Sequence, residues 1–319
     1  MARSLAAAAF ALISLLSMPT SYGGSATWFA KPLSNDWNTA TNWLPTTVPN
    51  SPAESAVFDA SDRTAISLSD SVEVNGLTFS AGASAYTITP GIPKTLTLGG
   101  TGIINHSGIR QTFVSTGSGT SFLPAFRFIN GAAAGSSTMF VVNGGPGLPE
   151  FAGSPGIDFL DSSTADHASF AVHGGEVNQA HGGLISFSGR STAGSGTFTN
   201  NGGAASEAGG GGITFSGAST AGSGTFTNGG GAGYSAGGGF TEFSDTSTAG
   251  SGTFINNGGA FRGAFEGFTV LFGTSTAGNG IFINNGASVD ETAPGHTGFG
   301  GFATAGSGTF INNTGAVSG

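Results

Sequence analysis

Thr192-Ala193-Gly194-Ser195-Gly196-Thr197-Phe198 returns intact at residues 220–226, 248–254 and 304–310, and at 276–282 with Asn279 and Ile281 substituted. Every return falls 28 residues after the last, without insertion or deletion. A looser copy occupies residues 164–170, one interval earlier. A second series keeps the same step: Phe159, Phe187, Phe215, Phe243, Leu271 and Phe299 each stand five residues before the Thr of a repeat. A third series, Asn200, Asn228, Asn256, Asn284 and Asn312, follows the later Phe by two residues and opens tails such as Asn200-Asn201-Gly202-Gly203.

Within each period, short pieces such as residues 212–216 and 224–227 alternate apolar with small polar residues, the pattern of strands with one buried face. The Asn- and Gly-rich tails tolerate left-handed backbone, which tight corners need. Helix is disfavoured, because glycine at this density costs about 1 kcal/mol per position relative to alanine. Two or three short strands per 28 residues, joined by corners at constant offsets, make one coil of a β-solenoid. Successive coils then stack about 4.8 Å apart with equivalent residues superposed. On this reading the two Phe series are stacks inside the solenoid, Thr197 and Thr199 point outward, and the Asn series forms an amide ladder at a corner. A single inserted residue would turn a strand's faces over, so the period is itself a packing requirement. A β-sandwich array does not repeat at this interval, and a disordered tail would not hold a Phe column in phase.

Outside the repeats the composition changes. All three tryptophans lie at Trp28, Trp37 and Trp43, the last two within Asp36-Trp37-Asn38-Thr39-Ala40-Thr41-Asn42-Trp43. Pro32, Pro45, Pro49, Pro52, Pro90 and Pro93 stiffen the same half. Bulky aromatics and proline-rich loops suit the cover that the open first coil of a solenoid needs. Strand-like pieces resume at residues 74–79, 86–88, 95–98 and 102–105. The chain therefore divides into an N-terminal segment 1–24, a cap over 25–71, irregular coils over 72–150 and regular coils over 151–319.

The segment 1–24 reads as a secretory signal peptide. Arg3 precedes an apolar run over residues 5–16, small residues follow, and no acid appears before Asp36. That run is too short for a bilayer span, which needs about 20 apolar residues. No later stretch is long and apolar enough to span, so the sequence predicts an exported chain with no integral membrane segment after signal removal. The absence of Cys excludes disulfides, thiol chemistry and Cys-based zinc sites. Eight Lys and Arg against 17 Asp and Glu give a net charge of −9 and no basic footprint for nucleic acid. Twenty-seven Phe and 38% hydrophobic residues supply ample core.

The opening at residues 36–43, the segments 72–89 and 101–108, and the TAGSGTF repeats together resemble bacterial autotransporter-associated β-strand-repeat proteins, a group overlapping exported proteins with PEP-type sorting signals. The resemblance implies a right-handed parallel β-helix at the cell surface or outside it, in an adhesive or matrix role. Residues 1–319 contain neither the translocator barrel nor the sorting segment of that group. Gly319 falls about half a period after Thr304, so the sequence predicts that further coils of a longer chain, or a subunit, stack at the C-terminal edge.

The densest polar cluster is Asp158, Asp161, Asp166, His167, His173, Glu176 and His181. Carboxylates stacked on a β-helix face can bind calcium, and with a basic residue nearby can cleave polysaccharide. Here they spread over nearly a whole coil perimeter, with Arg190 and Arg262 the only cations of the repeat region, and read as solvated surface. His106 and His296 are isolated in sequence. The glycine runs 209–212 and 237–239 lack the Lys-Ser/Thr of a phosphate loop and the Asp of calcium-binding nonapeptides. No catalytic, metal-binding or cofactor-binding residue is assigned. The sequence thus predicts a non-enzymatic structural or adhesive solenoid whose partners are glycans or neighbouring cell-surface proteins. The alternatives are a carbohydrate-active β-helix enzyme (lyase or hydrolase) and, from the outward Thr-x-Thr pairs, an ice-binding solenoid.

Overall fold

The computed structural model describes residues 24–91, 93–116, 124–145, 147 and 156–316. The segment read as a signal peptide falls almost wholly outside them. The rest is all-β: parallel strands stack into a β-solenoid of about ten turns. Among the described residues, twelve strands form a long sheet running from the Trp43–Leu44 and Ala26–Trp28 pair to His296–Phe299. Ten more form a short sheet from Ala65–Leu68 to Thr309–Asn312. Each regular coil gives one four-residue strand to each sheet, and a third side closes through a single bridged residue in the column Thr164, Thr192, Thr220, Thr248, Thr276 and Thr304.

The heptapeptide explains itself at that third side. The Thr192 hydroxyl accepts the Gly194 N–H at 3.0 Å, and Thr220 and Thr248 do the same for Gly222 and Gly250. Ala193 is wholly buried, and Gly194 turns the chain at φ +60. Thr197 then faces out and Phe198 faces in. Phe198 stacks on Phe170 at 4.6 Å and on Phe226 at 4.7 Å, with planes within 7° and 3°. The other column does likewise: Phe187 lies 4.6 Å from Phe159 and 4.7 Å from Phe215. The two stacks meet edge to face, as between Phe215 and Phe226 at 5.8 Å, the geometry that aromatic quadrupoles favour.

The Asn ladder forms, but inside the core rather than at an outer corner. Asn200, Asn228 and Asn256 end strands on the same inward side as the Phe and are wholly buried. Asn200 Nδ2 donates to Asn228 Oδ1 at 2.8 Å, Asn228 to Asn256 at 2.8 Å, and Asn256 to Asn284 at 2.9 Å. Across the core, inward Thr241 and Thr269 donate to Asn228 and Asn256 at 3.1 and 2.9 Å. Buried amides are tolerated only when paired in this way. Earlier coils carry Val172 and Ile213 at the equivalent places, so Asn200 receives no donor from either and its Oδ1 is left without a partner.

Two expectations change in the first half. Residues 95–98 and 102–105 are one strand, Leu96–Asn105, which bulges against Val72–Phe79 where Gly102 takes φ +73. Adjacent glycines allow a kink inside a strand where turn residues would otherwise end it. Residues 51–68 already stand in the coil sheets, since Ser51–Phe58 and Ala65–Leu68 pair in parallel with the next coil. Over them Trp37 and Trp43 pack at 4.8 Å, and both contact Phe58 at 5.7 Å. All three indole N–H groups reach backbone carbonyls, those of Arg63, Pro49 and Trp37. The buried Asn42 ties Leu33, Ser34 and Asp36 together. At the other end the last described coil leaves the core residues Phe299 and Phe310 43% and 39% exposed.

The orphan Asn200 acceptor makes a test. Ile213 and Ile185 are equally buried in adjacent coils, but only at 213 would a Thr hydroxyl meet an unpaired acceptor. Ile185→Thr should therefore lower stability by about 1–2 kcal/mol more than Ile213→Thr, the cost of one unsatisfied buried hydroxyl. Urea midpoints measured side by side check this, and equal losses would refute the assignment.

Candidate functional site: an aromatic groove along the long sheet

The outward positions of the two sheets differ in chemistry. On the short sheet, from Gln111–Ser115 to Thr309–Asn312, they hold Thr, Val, Met, Ser, Ala and Ile and no charged residue. Thr197 and Thr199 face outward as predicted, while Ile255, Ile283 and Ile311 take the second position in later coils.

The long sheet carries the deeper feature. Leu184, Gly212, Phe240, Phe268 and His296 are register partners in successive strands. Phe240 stacks on Phe268 at 5.6 Å, and Phe268 on His296 at 5.6 Å, with planes within 12° and 14°. The Phe240 ring occupies the space a side chain at position 212 would fill. Before each of these strands the chain passes over the end of a short-sheet strand so closely that a Cβ at Gly239 would strike the backbone of Asn200. Glycine is required there, and it draws the preceding loop inward. Gly210, Gly237 and Gly238 then leave bare backbone as the floor of a groove of about 470 Å³, walled by Phe240, Phe268 and the loop residue Phe265. A smaller hollow of about 240 Å³, reached from His181 and Leu184, shares Gly210 and Phe240 with it. The glycine runs thus form a groove floor, a use their composition alone did not suggest.

His296, isolated in sequence, is not isolated in space. Its Nδ1 lies 2.9 Å from Glu266 Oε1 in the groove wall. Glu242, outward on the strand Phe240–Phe243, has Thr214 and Val270 as register neighbours and no cation in its column there. Burial pushes its carboxyl above the usual range.

The structure disperses the acidic and histidine cluster. Asp158 faces outward on the long sheet and accepts from Ser186 Oγ at 2.6 Å. Asp161 and Asp166 are corner residues at φ +57 and +53, in columns otherwise filled largely by glycine. Asp166 pairs with His167 at 2.6 Å, and His173 contacts Asn201 at 3.1 Å, past the end of the short-sheet strand. Glu176 and His181 lie in the loop that follows. Among the described residues no three His, Asp or Glu side chains converge on a point that could hold a metal ion. One neighbour of the cluster was not found from sequence: Arg127, a coil earlier in register with Asp158, brings its Nε to 3.9 Å from that carboxylate. The coil between them is longer than the later period, so the 28-residue count does not align the two. Among the described residues no helix is long and apolar enough to cross a membrane.

No family model, curated protein or solved structure matches this chain.

The half-buried Glu242 carboxyl has a measurable consequence. A folded-state value raised above the unfolded one favours the protonated fold, so stability is fullest in acid and falls as pH rises through the ordinary Glu range to the raised value. Glu242→Gln should remove that fall and raise the melting temperature at neutral pH. Melting curves from about pH 4 to pH 8 for both proteins check the sign.

Proposed function

We propose that this chain is a non-enzymatic, exported β-solenoid that serves as a structural or adhesive rod at the cell surface or in the extracellular matrix. The observation that carries this reading is the continuous stack itself, in which register is unbroken from Gly156–Phe159 to His296–Phe299. Such a stack presents long parallel columns of outward side chains at a fixed repeat. Many weak contacts on a rigid repeat sum to firm attachment. The apolar run 5–16 behind Arg3 and the resemblance to autotransporter-associated β-strand-repeat proteins support export. The core residues left uncovered on the last described coil give further coils or a subunit a surface on which to stack. Glycans and neighbouring surface proteins are the partners proposed.

The carbohydrate-active reading has one observation in its favour, the Arg127–Asp158 pair on the outward face of the long sheet. The two readings separate by experiment. Secreted from a bacterial host with its own N-terminus, the protein should appear outside the cell with its first two dozen residues removed, as N-terminal sequencing reads. Beads coated with it should bind cells several-fold above uncoated beads. It should release no reducing ends or unsaturated uronates from a panel of polysaccharides. Turnover that disappears in Asp158→Ala would replace the adhesive rod by the enzyme.

A further inference from the structure

Resting on the adhesive reading, we infer that the groove over Phe240, Phe265 and Phe268 binds a neutral polysaccharide chain lying along the solenoid axis. Three features point to this ligand class. The feature is elongated: its register column runs from Leu184 to His296, four strand spacings or about 19 Å, and the two hollows along it are neighbours that share Gly210 and Phe240 in their linings. An extended hexose chain advances by about one strand spacing per ring, so successive sugars meet successive coils. The walls are aromatic and the floor is bare peptide: Phe240 and Phe268, stacked on one another, turn ring edges into the groove, the exposed Phe265 offers a free ring face to sugar C–H groups, and the backbone faces the hydroxyls.

The charge balance selects among glycans. In the larger hollow the ionisable groups, Glu266 and His296, face each other at 2.9 Å, the smaller one adds His181, and no Lys or Arg lines either. The groove therefore holds no lysine or arginine charge to offset desolvation of a uronate or sulfate, and the chain's net charge of −9 repels such polymers. An uncharged ligand with apolar faces and hydroxyl edges meets no such penalty. Phe265 is 58% exposed, so its ring is free to close over a bound sugar at no loss to the core.

The test is calorimetric titration of the whole protein with cellohexaose, N-acetylated chitohexaose and hexagalacturonate. One or both neutral hexamers should bind and the acidic one should not. Phe265→Ala should weaken binding about tenfold, the loss of one stacking contact, and Phe268→Ala, which removes a ring edge from the wall, should weaken it less. Phe272→Ala, an exposed ring just past the end of the strand Phe268–Leu271 and outside the groove lining, should leave it unchanged. Circular dichroism melts confirm that the variants are folded. Preference for hexagalacturonate, failure of both neutral hexamers to bind at millimolar concentration, or equal binding by the groove variants would each overturn the assignment. Bead adhesion separates this from the broader reading. Adhesion that survives both groove substitutions removes the groove and keeps the rod. Ring-dependent hexamer binding without bead adhesion keeps the groove and removes the rod.

Discussion

Each regular coil rests on a coil of the same length, so the neighbours of any core residue along the axis are its own equivalents. From this one constraint most of the structure follows. A Phe placed inward in one coil must be Phe, or something that stacks on Phe, in the next, and the rings settle at 4.6–4.9 Å, one strand spacing. An inward amide is tolerable only if the coil above accepts its N–H, which turns a single Asn into a ladder. A corner that needs left-handed backbone needs it in every coil, which accounts for the column Gly194, Gly222, Gly250, Gly278 and Gly306 with Asp166 at its head.

The same constraint governs where specificity can reside. Inward columns vary little because a change must suit two neighbours at once. Outward columns are released from that demand and vary freely, as Leu184, Gly212, Phe240, Phe268 and His296 do. Variation that converges on three stacked rings beside a glycine floor is not required by the scaffold. The groove uses the scaffold's spacing to align the rings, and its depth comes from a close backbone passage that the scaffold enforces. Fold and site are thus coupled through Gly239 and its equivalents rather than through any shared side chain.

How much could be read beforehand divides along the same line. The parallel solenoid, the inward Phe columns and the outward Thr197 and Thr199 were all legible, because identity at a constant interval marks positions stacked on themselves. What escaped were features carried by unlike residues at that interval. His296 looked solitary until its coil brought Glu266 and Phe268 beside it. Arg127 lay beyond the regular count, where the coil through Ala133 is longer. The Asn were expected at a corner because Asn-Gly-Gly tails read as turns, yet strand alternation places Asn200 inward two residues after Phe198. Asp161 and Asp166 read as solvated surface, and their backbone angles add what the sequence did not show, that they are corner residues.

The passage from Val172 and Ile213 to Asn200 and Thr241 divides the core into an apolar part and a polar part. Stacked Phe columns alone would accept any two coils as neighbours, since every rung is alike. The amide ladder removes that freedom. An Asn coil stacked on an apolar one leaves buried hydrogen-bonding groups unpaired, at about 1–3 kcal/mol each, and the native stack accepts this once, at Asn200 Oδ1. Together with the tryptophan cover on the first coil, this gives the repeat a direction and an order that its near-identical sequences do not themselves supply. A buried polar element of this kind sets order at some expense of stability. For a rod built from interchangeable units, order is what places Phe240, Phe268 and His296 in adjacent coils, and the groove exists only in that order.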